Sequence, residues 1–131
     1  MKILFIGDVV GMRSCEALQQ ELHGIKQKLG ADVVIVNGEN SAEGNGINPA
    51  SAGAIFDAGA DVITTGNHCF RQKTMEAEWE SNERIIRPAN YGEDVIGRGM
   101  CVLDRGAYSI AVINLMGTIG ICNSGSVIQC S

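Results

Sequence analysis

Residues 3–8 read Ile3-Leu4-Phe5-Ile6-Gly7-Asp8, a short apolar run that ends in a glycine and a carboxylate. Continuous runs of β-favouring apolar residues are typical of strands buried on both faces. Residues 33–40 repeat the arrangement, since Val33-Val34-Ile35-Val36 lead into Asn37-Gly38-Glu39-Asn40. Residues 61–68 repeat it again, with Asp61-Val62-Ile63-Thr64-Thr65 followed by Gly66-Asn67-His68. The sequence therefore predicts three buried strands, each followed by a polar loop.

Helical patterns separate the three predicted strands. The first helix is predicted from about Ser14, a suitable N-cap, to Gly30, a suitable C-cap. Its apolar residues recur at helical spacing: Leu18, Leu22, Ile25 and Leu29. Asn48-Pro49 begins a second helix by cap and first-turn proline, and Gly59 ends it. Alternating strands and helices predict an α/β fold that starts as a parallel β-α-β-α-β unit.

The second half of the chain has a different pattern. Residues 72–80 predict a short helix, and residues 85–88 predict a strand that ends at a proline. Residues 100–103 and 108–115 flank the glycine-containing turn at 104–106, which is typical of a β-hairpin. We therefore expect a more antiparallel arrangement after the parallel start.

The length of 131 residues fits one domain. The chain contains no Asp, Glu, Lys or Arg after Arg105, and residues 121–131 have neither helical nor strand periodicity. We predict that residues 1–121 are the N-terminal part of one domain. Residues 122–131 are predicted to be an irregular tail, typical of a truncated or altered end, with a short disordered tail as the alternative.

Composition excludes several classes of protein. A net charge of −5 is the wrong sign for clamping duplex nucleic acid by charge alone. No apolar stretch has the length of a membrane span, and the apolar run at residues 3–6 is too short for a signal peptide, so we expect a cytoplasmic protein. Five cysteines without a C-x-x-C pattern indicate free thiols. Cys69 follows His68 directly, but adjacent side chains seldom point at each other, which disfavours a thiolate and base pair.

The polar loops are expected to meet. In parallel sheets the site lies beyond the carboxyl ends of the strands, so Asp8, Glu39 with Asn40, and Asn67 with His68 should converge at one rim. Carboxylate and amide oxygens suit hard or borderline divalent ions, and two such ions activate water for phosphoryl displacement. A histidine can donate a proton to the leaving oxygen. Each loop alone has a simpler interpretation as turn chemistry or a satisfied polar residue, so the hypothesis rests on the combination.

Five motifs occur in order along the chain. They are Gly7-Asp8-Val9-Val10-Gly11, Asn37-Gly38-Glu39-Asn40-Ser41-Ala42 with Gly44 and Gly46, Gly66-Asn67-His68, Arg87-Pro88-Ala89-Asn90, and Asn114-Leu115-Met116-Gly117. Together they resemble the calcineurin-like metallophosphoesterases, in particular the bacterial branch of 2′,3′-cyclic-nucleotide 2′-phosphodiesterases, and the likeness runs from Met1 to about Gly120.

This resemblance implies an α/β/β/α sandwich, of which the chain contains part, and two divalent or mixed-valence metal ions, iron in most cases and manganese in some. It implies that Asp8, Glu39 and Asn40 bind one metal, that Glu39 bridges to the second, and that Asn67 binds the second. His68 is implied to be the proton donor when metal-activated hydroxide attacks the phosphorus of a 2′,3′-cyclic nucleotide or related phosphodiester.

The chain also departs from the family pattern. Val10 stands where the superfamily has a histidine in the first loop, and we hypothesise that Asn40 supplies the missing contact. Cys69-Phe70-Arg71 follows Gly-Asn-His where close relatives have an aromatic residue and an aspartate. His23 and His68 are the only histidines, whereas family members are about twice as long and use later histidines as metal ligands. The resemblance therefore covers the first half of a two-metal site.

Two other functions compete with a hydrolase that acts on small phosphodiesters. A non-catalytic binding or regulatory protein derived from the family would use an open sheet edge or an apolar face to pair with another chain, including a homo-oligomer. A mononucleotide-binding α/β domain is disfavoured because the glycine loops lack both G-x-G-x-x-G and a Walker lysine.

Overall fold

The computed structural model describes residues 1–117. Four strands form one parallel sheet in the order β1-β2-β3-β4, and they are β1 (Ile3–Ile6), β2 (Val33–Asn37), β3 (Val62–Thr64) and β4 (Ile85–Ile86). Asn37 pairs with Thr64 at the last position of the β2 and β3 register. The carboxyl ends of β1, β2 and β3 therefore lie at one rim, as the sequence predicts.

Helices cover one face of this sheet. They are α1 (Gly11–Leu29), α2 (Pro49–Asp57) and α3 (Glu76–Ser81), the last preceded by a 3₁₀ turn at Lys73–Met75. Their buried side chains share one core with the sheet, including Leu22, Ile55 and Trp79. Helix α2 begins as predicted, because the Asn48 side chain accepts a hydrogen bond from the Ser51 backbone N–H (2.8 Å) and Pro49 follows the cap.

An antiparallel hairpin covers the other face. Strands β5 (Met100–Asp104) and β6 (Ser109–Ile113) pair around the predicted turn, and their residues Cys101, Leu103 and Val112 pack on Val33, Ile35, Val62 and Ile86. The described residues thus form helix, parallel-sheet and antiparallel-sheet layers. This confirms the α/β class and the more antiparallel second half.

Two details of α1 differ from the prediction. The helix begins at Gly11 rather than near Ser14, and the Ser14 hydroxyl donates to the Val10 carbonyl oxygen (2.7 Å) from inside the first turn. The predicted apolar stripe is buried at Leu22, but Ile25 and Leu29 are 40% and 47% exposed. Cys15, fully buried one turn before Leu18, extends the core toward the start of α1 instead.

Cys15, Cys69 and Cys101 are free and buried, as expected for a chain without disulfide pairing at these positions. Burial raises the pKa of the Cys69 thiol to about 12, which makes it a poor nucleophile and disfavours a pair with His68. None of the helices within residues 1–117 is long and apolar enough to cross a membrane. The tail predicted at residues 122–131 lies outside the described residues.

Candidate metal-binding and proton-transfer site

Backbone hydrogen bonds hold the three polar loops together. The Val9 N–H donates to the Asn37 carbonyl oxygen (3.0 Å), and the Gly11 N–H donates to the Asn40 carbonyl oxygen (3.0 Å), which joins the first loop to the second. The Gly38 N–H donates to the Thr64 carbonyl oxygen (3.0 Å), which joins the second loop to the end of β3. Main-chain hydrogen bonds between the strand ends therefore fix the positions of the three loops relative to one another.

Asp8, Asn40 and His68 meet through their side chains. The Asn40 amide Nδ2 donates to Asp8 Oδ1 (2.8 Å), and His68 Nδ1 lies 2.7 Å from Asn40 Oδ1. These three residues come from three separate loops, 32 and 28 positions apart along the chain. The convergence predicted from strand ends is confirmed for these three side chains.

Glu39 lies beside this row of residues and is half-buried. Burial raises the pKa of its carboxyl group, the charge of Asp8 acts in the same direction, and His68 opposes both. The backbone is shaped around the same carboxylate, because a Cβ atom built on Gly66 would lie 1.7 Å from Glu39 Oε2 and 2.7 Å from Glu39 Cδ. A glycine at position 66 is thus required for Glu39 to occupy this place.

Asn67 is exposed and shares a cleft of about 710 Å³ with Glu39, between the carboxyl ends of the parallel strands and the hairpin. One part of the cleft is apolar and includes Phe5, Ile35 and Leu115. Its polar lining includes Asn37, Thr64 and Asn114, which sequence reasoning did not single out as site residues. The Thr64 hydroxyl is buried and has no hydrogen-bond partner among the described residues.

Asn114 lines this cleft, whereas Arg87 holds a separate backbone segment. The buried Arg87 guanidinium donates to the carbonyl oxygens of Pro88, Val95 and Ile96 (2.9–3.2 Å). The Asn114 amide donates to the Thr65 carbonyl oxygen (2.7 Å) and links the end of β6 to the end of β3. Both motifs therefore position backbone segments, which their sequence alone does not reveal.

The polar side chains at this rim are mostly oxygen donors. A half-buried carboxylate beside a second carboxylate is a poor place for negative charge unless a positive partner compensates it, which agrees with the raised pKa of Glu39. Among residues 1–117 no three His, Cys, Asp or Glu side chains form a metal-holding cluster. The described site thus offers two carboxylates and the amide oxygens of Asn40 and Asn67, a set of hard oxygen ligands that leaves coordination positions for other groups.

Comparison with known proteins identifies the family of this chain. The family model for YmdB-like protein matches residues 4–127. The chain belongs to this family. It is 36% identical over 117 residues to the 2′,3′-cyclic-nucleotide 2′-phosphodiesterase of Bacillus subtilis, which covers 89% of this chain and 44% of that protein. The resemblance stated from the motifs is therefore confirmed.

Two solved structures of similar proteins share the fold. A hypothetical protein from Thermus thermophilus matches with a TM-score of 0.84 and 36% identity, over 91% of this chain and 46% of its own. A phosphatase from Mycoplasma pneumoniae matches with a TM-score of 0.82 and 33% identity, over 90% of this chain and 43% of its own. The chain thus spans a little under half the length of the relatives it matches.

The raised pKa of Glu39 predicts a pH-dependent stability in the metal-free protein. The pKa of Glu39 is higher in the folded protein than in the unfolded chain, so between these two pKa values the folded protein binds more protons. The free energy of unfolding therefore decreases as the pH rises through this range. Glu39→Gln removes this loss. In urea denaturation without metal, we expect the stability of Glu39→Gln relative to wild type to increase as the pH rises above the ordinary titration range of a carboxyl group. A difference that does not change with pH would contradict this account of Glu39.

Proposed function

We propose that the protein takes part in metal-dependent hydrolysis of small phosphodiesters, with 2′,3′-cyclic nucleotides as the leading substrate class. The observation that carries the proposal is the meeting of Asp8, Asn40 and His68 within hydrogen-bonding distance beside Glu39. The name of the Bacillus subtilis relative supports the substrate class. Two metal ions, iron or manganese, would supply an activated water and neutralise charge on the phosphate.

The residues of this chain have separate roles in the proposal. Asp8, Glu39, Asn40 and Asn67 hold the metal ions through oxygen atoms. His68 gives a proton to the departing sugar oxygen, because an alkoxide leaves poorly without one. The cleft beside Glu39 and Asn67 receives the rest of the substrate. Since the sequence has no histidines besides His23 and His68, further histidine ligands would come from another polypeptide segment.

Gly66→Ala provides a test that changes no proposed ligand. The added Cβ collides with the Glu39 carboxylate alone and not with backbone atoms, so the fold should survive while the carboxylate moves. In a Mn²⁺ titration followed by electron paramagnetic resonance, we expect wild type to bind weakly. Gly66→Ala should bind about 10- to 100-fold more weakly, a loss typical of disturbed ligand positioning. Bound iron and manganese are measured in parallel by elemental analysis.

Gly92→Ala is the matched control, because a Cβ at that position meets no atom within 4 Å and the residue is exposed. It should bind Mn²⁺ as wild type does. Equal affinity in wild type and Gly66→Ala would contradict a metal site at Glu39. Hydrolysis of bis-p-nitrophenyl phosphate with added Mn²⁺ or Fe²⁺ tests the activity itself.

A binding or regulatory role is the second candidate, and exposed apolar side chains favour it. Phe5 on β1 is 58% exposed, and Ile113 and Leu115 at the end of the hairpin are 57% and 71% exposed. Exposed apolar residues that share one cleft mark interaction surfaces. A metal-free chain that forms a defined oligomer and hydrolyses nothing would support this role over the enzyme.

A further inference from the structure

Asp8, Asn40 and His68 form a row of hydrogen-bonded side chains. Asn40 Nδ2 is 2.8 Å from Asp8 Oδ1, and Asn40 Oδ1 is 2.7 Å from His68 Nδ1. The side-chain amide of Asn40 has an NH₂ group that donates and an oxygen that accepts. Rotating the amide by half a turn would exchange the positions of these two groups.

The hydrogen-bonding properties of Asp8 determine which way the Asn40 amide is turned. An ionised carboxylate accepts hydrogen bonds and donates none, so Asn40 must present its NH₂ group to Asp8. The amide oxygen of Asn40 is then left for His68, and this oxygen also only accepts. His68 Nδ1 must therefore carry the hydrogen, and His68 Nε2 takes no part in these two hydrogen bonds.

We propose that Asn40 is a positioning residue that holds His68 in the Nδ1–H tautomer and leaves Nε2 to exchange protons with substrate. The catalytic consequence rests on the proposed function. When His68 acts as the acid, the Nε2–H bond breaks and its electron pair stays on nitrogen, while the leaving oxygen forms a new O–H bond. The neutral ring that remains has its hydrogen on Nδ1, which is the form that Asn40 Oδ1 stabilises.

This role is compatible with metal binding by the same side chain. The amide oxygen has two lone pairs, and the bond from His68 uses one of them. The backbone of Asn40 is held separately, because its carbonyl oxygen accepts from the Gly11 N–H and it forms a bridge with Val10. Removing the Asn40 side chain should therefore change the state of His68 without releasing the loop, which circular dichroism will check.

Nitrogen-15 NMR of the metal-free 131-residue chain, labelled at histidine, tests the inference directly. Two imidazoles contribute to the spectrum, and His23→Gln assigns them; His23 lies on α1 beside Gln27 and serves as an internal reference. We expect the neutral ring of His68 to carry its hydrogen on Nδ1. In Asn40→Ala its signals should move toward the tautomer mixture of free histidine.

Two further variants separate orientation from simple contact. Asn40→Asp keeps an oxygen that accepts from His68 Nδ1, so the Nδ1–H tautomer should return. Asp8→Asn places an amide where the carboxylate was, which can donate or accept, so Asn40 is no longer forced into one orientation and the tautomer should be intermediate. A wild-type His68 protonated at Nε2, or an unchanged tautomer in Asn40→Ala, would overturn the proposal.

The NMR result does not depend on hydrolysis, so it distinguishes failure of this inference from failure of the proposed function. Because Asn40 is also a proposed metal ligand, kcat is compared at equal bound metal, where Asn40→Ala should lower it by about 10- to 100-fold. Asn40→Asp should recover part of that loss at the same metal content. A tautomer that responds as expected in a protein without phosphodiesterase activity would support the positioning role and refute the enzyme.

Discussion

Gly99→Ala is expected to lower the free energy of unfolding by about 3 kcal/mol, the upper range for overpacking. A Cβ atom on Gly99 would lie 2.3 Å from Ala89 Cα and 3.0 Å from Ala89 N, so backbone has to move. The Ala89 N–H donates to the Asn114 carbonyl oxygen (2.7 Å), and the Asn114 N–H donates to the Gly99 carbonyl oxygen (3.0 Å). The substitution therefore disrupts the junction that attaches the hairpin to the sheet.

Urea denaturation of wild type, Gly99→Ala and Gly92→Ala measures this effect. Gly92→Ala also changes a loop glycine but adds its methyl group in open space, so it should change stability by no more than about 0.5 kcal/mol. Equal stability of the two variants would show that residues 89 and 99 separate without loss of the hairpin contacts.

His68→Ala is expected to lower kcat by about 10²- to 10⁴-fold on a 2′,3′-cyclic nucleotide, the range for loss of a general acid. The loss should be smaller on bis-p-nitrophenyl phosphate, because nitrophenolate is a weak base and leaves without a proton. Metal content should stay at the wild-type level, since His68 is not one of the proposed ligands. Steady-state kinetics with saturating Mn²⁺, together with elemental analysis, measures these quantities.

His23→Ala is the matched control, because this exposed histidine contacts Gln27 on α1 and matches none of the site motifs. It should leave kcat for both substrates unchanged. An equal loss on both substrates in His68→Ala, or a parallel loss of metal, would contradict its role as proton donor and indicate a ligand or structural role.

Much of the scaffold of the site could be predicted from local patterns. Asn48-Pro49 begins α2 because a capping side chain and a proline act on their own backbone neighbours. Runs such as Val33–Val36 read as buried strands because a strand covered on both faces has no polar position. The convergence of Asp8, Asn40 and His68 then follows from parallel strands that end at one rim.

Predictions from local sequence patterns were wrong where a contact between residues far apart in the chain determines the structure. The predicted start of α1 was wrong because the backbone carbonyl oxygen of Asn40, in another loop, accepts a hydrogen bond from the Gly11 N–H. This contact helps to fix the first residue of the helix. The exposure of Ile25 and Leu29 was missed because helical periodicity shows which face is apolar and not how far the covering layer extends. Nothing in the residues around Arg87 predicts that its side chain is buried and donates to three carbonyl oxygens.

The fold class, the family and the loops of the candidate site could be predicted from the sequence, because buried strands, helix caps and motifs depend on residues that are neighbours along the chain. Three contacts became visible only in the folded chain: Gly66 makes room for Glu39, Gly99 lies against Ala89, and Asn40 lies between Asp8 and His68. These are relations between atoms brought together from distant parts of the chain. Distance and hydrogen-bond direction, rather than residue type, determine what such atoms do.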